Sequence, residues 1–245
     1  MSSSSAPLLD FSSTPLAKDY PPDQFYIKVL DDVFTPDECR ALITFAETGL
    51  FNVTEHINTE VEDPWKPAAV HYGLQAHQQY VDKEYRNSER ILRFDHDVAA
   101  FIYNRLLPYI HEVVEIKPGD KWHGVVGLKS PKVWRMVGVN ERLSFLKYGP
   151  GHFFKEHCDG RPELPDGRKS QITLQIYLNG SDSAGDKIVG GPTRIWSWDK
   201  KRWHDVEPRM GRVLIFQQAM VLHSGEEVKE GVKYAVRSDF MYRTE

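Results

Sequence analysis

The rhythm of apolar and polar positions changes partway along the chain. Up to about residue 130 it is helical or irregular. Thr35-Pro36-Asp37-Glu38 combines an N-cap, a first-turn proline and a glutamate three residues after the cap, which predicts a helix start. Leu42, Ile43 and Phe45 supply its apolar face, and Gly49 its stop. A second helix is predicted from near Asp95, with Val98, Phe101, Ile102 and Leu106 on one side and Pro108 kinking or ending it. Phe25–Leu30 predicts a strand ahead of the first helix. Residues 50–92 have no clear period and receive no assignment. Residues 1–24, rich in serine and proline, predict a flexible tail.

From about 133 the pattern turns to short β-like runs: Leu143–Tyr148, Phe153–Cys158, Gln171–Leu178, Pro192–Trp198, Arg212–Phe216, Met220–His223 and Lys233–Tyr242. Turn residues separate them, among them Pro165-Asp166-Gly167, Asn179-Gly180 and Gly190-Gly191-Pro192. No internal repeat is present. Regularly spaced short strands predict two packed sheets. The expected architecture is one mainly β domain over 25–245. A helical support, about 25–130, packs on a double-stranded β-helix (jelly roll, cupin-like), about 133–245.

Composition changes this picture little. The 245 residues are 40% apolar and 27% charged, ordinary values for a globular protein. A net charge of −4 gives no footprint for nucleic acid, and no basic run points to a membrane surface. No stretch approaches the roughly 18 apolar residues of a spanning helix. Two cysteines, Cys39 and Cys158, make no disulfide framework. The first ten residues lack the basic and apolar regions of a secretory leader. The expectation is a cytoplasmic, or alternatively nuclear, protein. Its oligomeric state is not written in the sequence.

Chemistry concentrates at His157-Cys158-Asp159. On a strand, residues i and i+2 share a face, so His157 and Asp159 reach one metal while Cys158 points away. A surface histidine beside a turn-capping aspartate is the competing reading. His223 follows the apolar run Val213–Phe216, and Lys233 comes ten residues later. Two imidazoles and one carboxylate form the facial triad of non-haem Fe(II) oxygenases. A zinc hydrolase with the same ligands, or a cupin-like module without turnover, are alternatives. Lys233 and Arg237 share a strand face and suit an anionic co-substrate, although most such residues are solvent-exposed. Tyr148 and Tyr177 offer phenol hydrogen bonds to the same anion. Trp196, with Trp198 and Trp203, offers an apolar substrate wall, with a core role equally open.

Together these motifs resemble the prolyl 4-hydroxylase-like branch of the Fe(II)/2-oxoglutarate dioxygenases. The resemblance starts at Val33–Cys39, touches Tyr85-Arg86-Asn87-Ser88, and sharpens at Tyr148-Gly-Pro-Gly-x-x-Phe-x-x-His157-x-Asp159. It continues through Thr173-x-x-x-Tyr177-Leu178-Asn179, Gly190-Gly191-x-Thr193, Pro208-x-x-Gly211-Arg212-x-Leu214-x-Phe216, and His223 with Gly231-x-Lys233. It implies iron on His157, Asp159 and His223, and 2-oxoglutarate on Lys233, with Tyr148 and Tyr177 lining its pocket. It also implies dioxygen as co-substrate, ascorbate as a supporting reductant, and succinate and CO2 as co-products. Arg237 lies too far beyond His223 for the Arg-x-Ser pattern of another branch and is expected to contact the substrate or support the ligands. Pro192 replaces the acidic residue often found after the two glycines. The substrate is expected to be a small molecule, with a peptidyl proline as the alternative.

Overall fold

The computed structural model describes residues 9, 11–52, 63–71, 79–127, 130–181 and 187–245. Strand β1 (Ile27–Leu30) leads to helix α1 (Pro36–Thr48). The helix begins as its sequence dictates. Thr35 caps the Glu38 amide, Glu38 reaches back to the Thr35 amide, and Gly49 takes the left-handed conformation that ends the helix. Two short strands, β2 (Arg86–Asn87) and β3 (Glu89–Phe94), precede helix α2 (His96–Leu106), which Asp95 caps. Pro108 lies in a 3-10 turn directly after α2. Then come β4 (Trp134–Val139), β5 (Arg142–Tyr148), β6 (Phe153–His157) and β7 (Lys169–Tyr177). The chain closes with β8 (Thr193–Trp196), β9 (Trp203–Val206), β10 (Val213–Gln217), β11 (His223–Gly225) and β12 (Lys233–Thr244).

Two antiparallel sheets face each other. Among the described residues the larger has nine strands, with the path β1-β10-β7-β12-β5-β3 at its centre and β4 paired to the far half of β12. The smaller has five, in the order β9-β8-β11-β6-β2. Strand alternation sorts the larger sheet's side chains. Leu143 and Phe145 of β5, Val236 of β12 and Leu174 of β7 point outward, under the helices, into the main apolar core with Leu42, Phe45 and Ile102. The alternate residues point inward, toward the smaller sheet. The expected helices and β-helix are thus present, and the expected strand at Met220–His223 is shifted to begin at His223. The strand β3 falls in the segment that had no assignment.

The flexible tail expected over 1–24 needs correction. Residues 1–8 and 10 lie outside the described residues. From Phe11 onward the segment is packed: Phe11, Leu16 and Tyr20 are buried against Tyr177, Ile195, Leu214 and Val221. The Tyr20 hydroxyl donates to the Trp196 carbonyl (2.6 Å) and accepts from the Leu222 amide (3.2 Å). Composition suggested disorder because the serines are frequent. Three well-spaced apolar side chains outweigh them once a groove exists to receive them. Among the described residues no helix is long and apolar enough to cross a membrane, and Cys39 (buried) and Cys158 (exposed) are free thiols.

Candidate active site

The space between the sheets is a cavity of about 270 Å³. The smaller sheet brings two imidazoles together there. β6 and β11 are antiparallel neighbours with His157 directly opposite His223, after a bulge that separates this pair from Phe154 and Gly225. The rings lie 4.3 Å apart. Asp159, just past the end of β6, completes the group: its carboxylate oxygens are 3.7 Å from His157 Nε2 and 3.9 Å from His223 Nε2. All three ligand atoms lie within 4.8 Å of one another.

The surroundings fix how these side chains present themselves. His157 Nδ1 lies 2.8 Å from the Lys155 carbonyl, and His223 Nδ1 lies 3.1 Å from the Val221 carbonyl. A carbonyl only accepts, so each Nδ1 carries the proton and each Nε2 lone pair faces the gap. Burial, and next the neighbouring His223, takes the His157 imidazole down to about 3, so it is neutral at ordinary pH. Burial also lowers His223. Burial alone would raise the Asp159 carboxyl. Arg237, the two imidazoles and the Thr173 hydroxyl outweigh it and hold the group well below the usual carboxylate range. Thr173 Oγ1 donates to Asp159 Oδ2 at 2.6 Å, and Arg237 pairs with both Asp159 (3.2 Å) and Asp239 (3.1 Å). Two neutral nitrogen donors and one ionised carboxylate suit a divalent iron, with the remaining faces open to the cavity.

The larger sheet supplies the opposite wall. Lys233, Ala235 and Arg237 alternate inward along β12, and Thr173 and Gln175 along β7. Lys233 is 2% exposed. Its ammonium donates to the Gly191 carbonyl (2.7 Å) and sits 4.4 Å from the Tyr148 ring centroid, its partner across the β5–β12 pair. Burial pushes the amine down to about 8. Gly191 makes this approach possible. It sits at φ +73, and a Cβ there would meet Val228 at 2.7 Å and crowd the lysine stem.

The other candidates are placed differently. Tyr148 lines the cavity. Tyr177 faces the same way along β7 but one layer deeper, and its hydroxyl donates to Thr193 Oγ1 (2.7 Å), which lines the cavity in its stead. Trp196 is on the outer face of β8, because Thr193 and Ile195 take the inner positions. Its indole donates to Ser224 (2.7 Å) and packs on Trp203. It forms no wall of this cavity. Sequence reasoning missed Arg90 and Arg142, and it assigned no role to Arg86, Thr193 or Gln175. Of these, Arg86 lay in the stretch Tyr85-Arg86-Asn87-Ser88 and Thr193 at the end of Gly190-Gly191-x-Thr193, and the others carried no signal.

Comparison with known proteins accords with this geometry. The sequence profile of the 2OG-Fe(II) oxygenase superfamily matches residues 143–238, a span that contains the triad, Lys233 and Arg237. No curated protein matches the chain. Among solved structures it is similar to a Pseudomonas putida prolyl-4-hydroxylase, at 18% identity over 87% of this chain and 91% of that one, with a TM-score of 0.54. It is also similar to a Trichoplax adhaerens prolyl hydroxylase, solved with a hypoxia inducible factor peptide fragment. That match has 12% identity over 87% of this chain and 82% of the other, with a TM-score of 0.56. At such identities the likeness is one of fold. Profile and fold agree: residues 143–238 match the 2OG-Fe(II) oxygenases, a superfamily that uses Fe(II), 2-oxoglutarate and dioxygen, and the chain around them shares the fold of the two prolyl hydroxylases.

Proposed function

We propose that His157, Asp159 and His223 hold the Fe(II), that Lys233 with Tyr148 beside it receives the distal carboxylate of 2-oxoglutarate, and that the enzyme hydroxylates an unactivated C–H bond of a small molecule. The observation that carries this reading is the convergence of the three ligand atoms within 4.8 Å in a cavity whose wall holds a buried lysine. Iron and 2-oxoglutarate, when bound, supply the activation of dioxygen and leave succinate and CO2. The chain supplies orientation. The Nδ1 bonds to Lys155 and Val221 keep both Nε2 atoms aimed at the gap. Thr173 and Arg237 hold the Asp159 carboxylate in place and ionised.

Lys233 is suited to an anion. Among the described residues its ammonium donates only to a neutral carbonyl, and an incoming carboxylate would offset the cost of burying its charge. Phe154, Leu146, Ala235 and Phe216 line the same space and limit water around the reacting atoms. Ligand pockets run to about 300–1,000 Å³. A cavity of about 270 Å³ suits a compact substrate better than a peptide segment. The free thiols favour a reducing compartment, cytoplasmic or nuclear.

The test is succinate release from 2-oxoglutarate with Fe(II), ascorbate and air, repeated across a panel of small molecules and proline-containing peptides. Stimulation by a small molecule supports the reading. Stimulation by peptides alone would transfer the enzyme to the peptidyl class, and absence of any succinate would remove the proposed site roles.

A further inference from the structure

The cavity holds more positive charge than its metal and co-substrate neutralise. Arg86, Arg90, Arg142, Lys233 and Arg237 line it, against Asp159. Under the function proposed above, on which this inference rests, Fe(II), Asp159, the two carboxylates of 2-oxoglutarate and Lys233 sum to zero. Arg237 is matched by Asp239 behind it. Arg86, Arg90 and Arg142 remain.

Strand register points all three inward. Arg142 shares the inner face of β5 with Ser144, Leu146 and Tyr148, and Arg90 is paired across β3–β5 with Leu146. Arg86 pairs across β2–β6 with Phe154. Its Nε donates to the Ser88 hydroxyl (3.1 Å), and its guanidinium lies 4.5 Å over the Phe154 ring. Phe154 in turn stacks on His157 at 3.8 Å. This column places Arg86 next to the metal ligands. Among the described residues none of the three forms an ion pair. They repel one another instead: burial, and then Arg86, Arg142 and Arg237, bring the Arg90 guanidinium down to about 10. Three half-buried cations kept together, with the nearby carboxylates Asp159 and Asp239 already paired to Arg237, weaken the fold locally. Such conflicts between local energetics and fold mark functional sites.

We propose that Arg86, Arg90 and Arg142 receive an anionic group, a carboxylate or a phosphate, of the primary substrate, which is therefore an acidic small molecule. Guanidinium forks match both anions bidentately. An anion held there fixes one end of the substrate, so that a C–H bond elsewhere in the molecule is presented to the metal.

The test uses the enzyme loaded with Fe(II) and saturating 2-oxoglutarate under anaerobic conditions, so that the co-substrate site is filled and no turnover occurs. Binding is measured for matched pairs: an amino dicarboxylate and its amide, a phosphomonoester and its parent alcohol, and an acidic and a neutral heptapeptide. One charged small molecule is expected to bind and its neutral partner not. Arg90→Gln and Arg142→Gln are each expected to weaken that binding roughly tenfold or more, with Arg90→Lys intermediate. Which pair responds separates carboxylate from phosphate. A second readout needs no ligand: removing one of several repelling cations should raise the melting temperature of the free enzyme, whereas a structural arginine would lower it. Equal binding of charged and neutral partners, binding by none of the charged small molecules, binding by the acidic peptide only, or a lowered melting temperature in both variants would each overturn the inference. Failure of the underlying reading looks different: 2-oxoglutarate affinity would survive Lys233→Ala and be lost in Arg90→Gln.

Discussion

The two sheets that enclose the cavity contribute opposite kinds of chemistry. The smaller one offers the neutral donors His157 and His223, from strands of five and three residues, and from its edge a single cation, Arg86. The larger offers cations, Lys233 and Arg237 from a twelve-residue strand, Arg142 from its neighbour β5 and Arg90 from β3 beyond that. Short strands near a bulge set two rings face to face with small adjustments of backbone. A long central strand, hydrogen-bonded on both sides, gives each charged side chain a fixed address and supports the cost of burying it. Under the proposed roles the tasks are largely separated: one wall holds the metal, and the other, helped by Arg86 from the edge of the first, reads the charge of what arrives.

Breaking the metal-gripping wall should have the largest effect. His157→Ala, Asp159→Ala and His223→Ala are each expected to lose iron and turnover while keeping the fold, because the main apolar core lies on the far side of the larger sheet. Iron stoichiometry and circular dichroism check this, and full iron with normal turnover in any variant would contradict it.

Breaking the charge-reading wall should be milder and selective. Lys233→Ala removes a charged hydrogen bond of about 1.5–3 kcal/mol, so the KM for 2-oxoglutarate should rise by roughly one to two orders of magnitude. Arg237→Ala leaves Asp159 and Asp239 without their shared cation. It should cost stability, on the order of 3 kcal/mol, and affect the primary substrate more than the co-substrate. If Arg237→Ala instead loses 2-oxoglutarate and Lys233→Ala retains it, the two residues have exchanged roles. Steady-state kinetics and thermal melts separate these outcomes.

The same lysine gives a pH signature. Burial lowers its pKa to about 8 in the free enzyme. The protonated form pairs with a carboxylate, so 2-oxoglutarate affinity should be full below pH 8 and fall as pH rises through it. Lys233→Arg should flatten that fall, and an identical profile in the variant would assign it to another group.

The smallest effects sharpen the boundary of the site. Thr193→Val removes the acceptor of both Tyr177 and Gln175 and should destabilise by about 1–3 kcal/mol. Trp196→Phe loses one bond to Ser224, worth about 1 kcal/mol, and should leave KM values unchanged, since the side chain faces outward. A rise in any KM for Trp196→Phe would move it back to the substrate wall.

Part of this arrangement was legible beforehand. The triad and Lys233 could be read because strand periodicity and the order of motifs constrain them. Helix α1 announced itself through Thr35, Glu38 and Gly49. Trp196 fell on the wrong side because alternation tells which residues share a face, not which face is inner. Thr193 supplies that anchor only once its bonds to Tyr177 and Gln175 are seen. Tyr177 had the right direction, but depth along a strand is a property of the neighbouring layer. The arginines were hidden for another reason. Arg86 lies on a two-residue strand and Arg90 in a segment without visible period, and their proximity to Arg142 arises from pairing across more than fifty positions.

The bond from the Leu222 amide to the Tyr20 hydroxyl spans 202 residues and lies one position before His223. Its consequence concerns the order of assembly. As the chain leaves the ribosome, Phe11, Leu16 and Tyr20 emerge early, and their docking groove, built from Tyr177, Ile195, Leu214 and Val221, does not yet exist. They must wait, solvated, until the chain as far as Val221 is made. Closure of so long a loop is slow and entropically costly, so the backbone around the last histidine settles among the final events of folding.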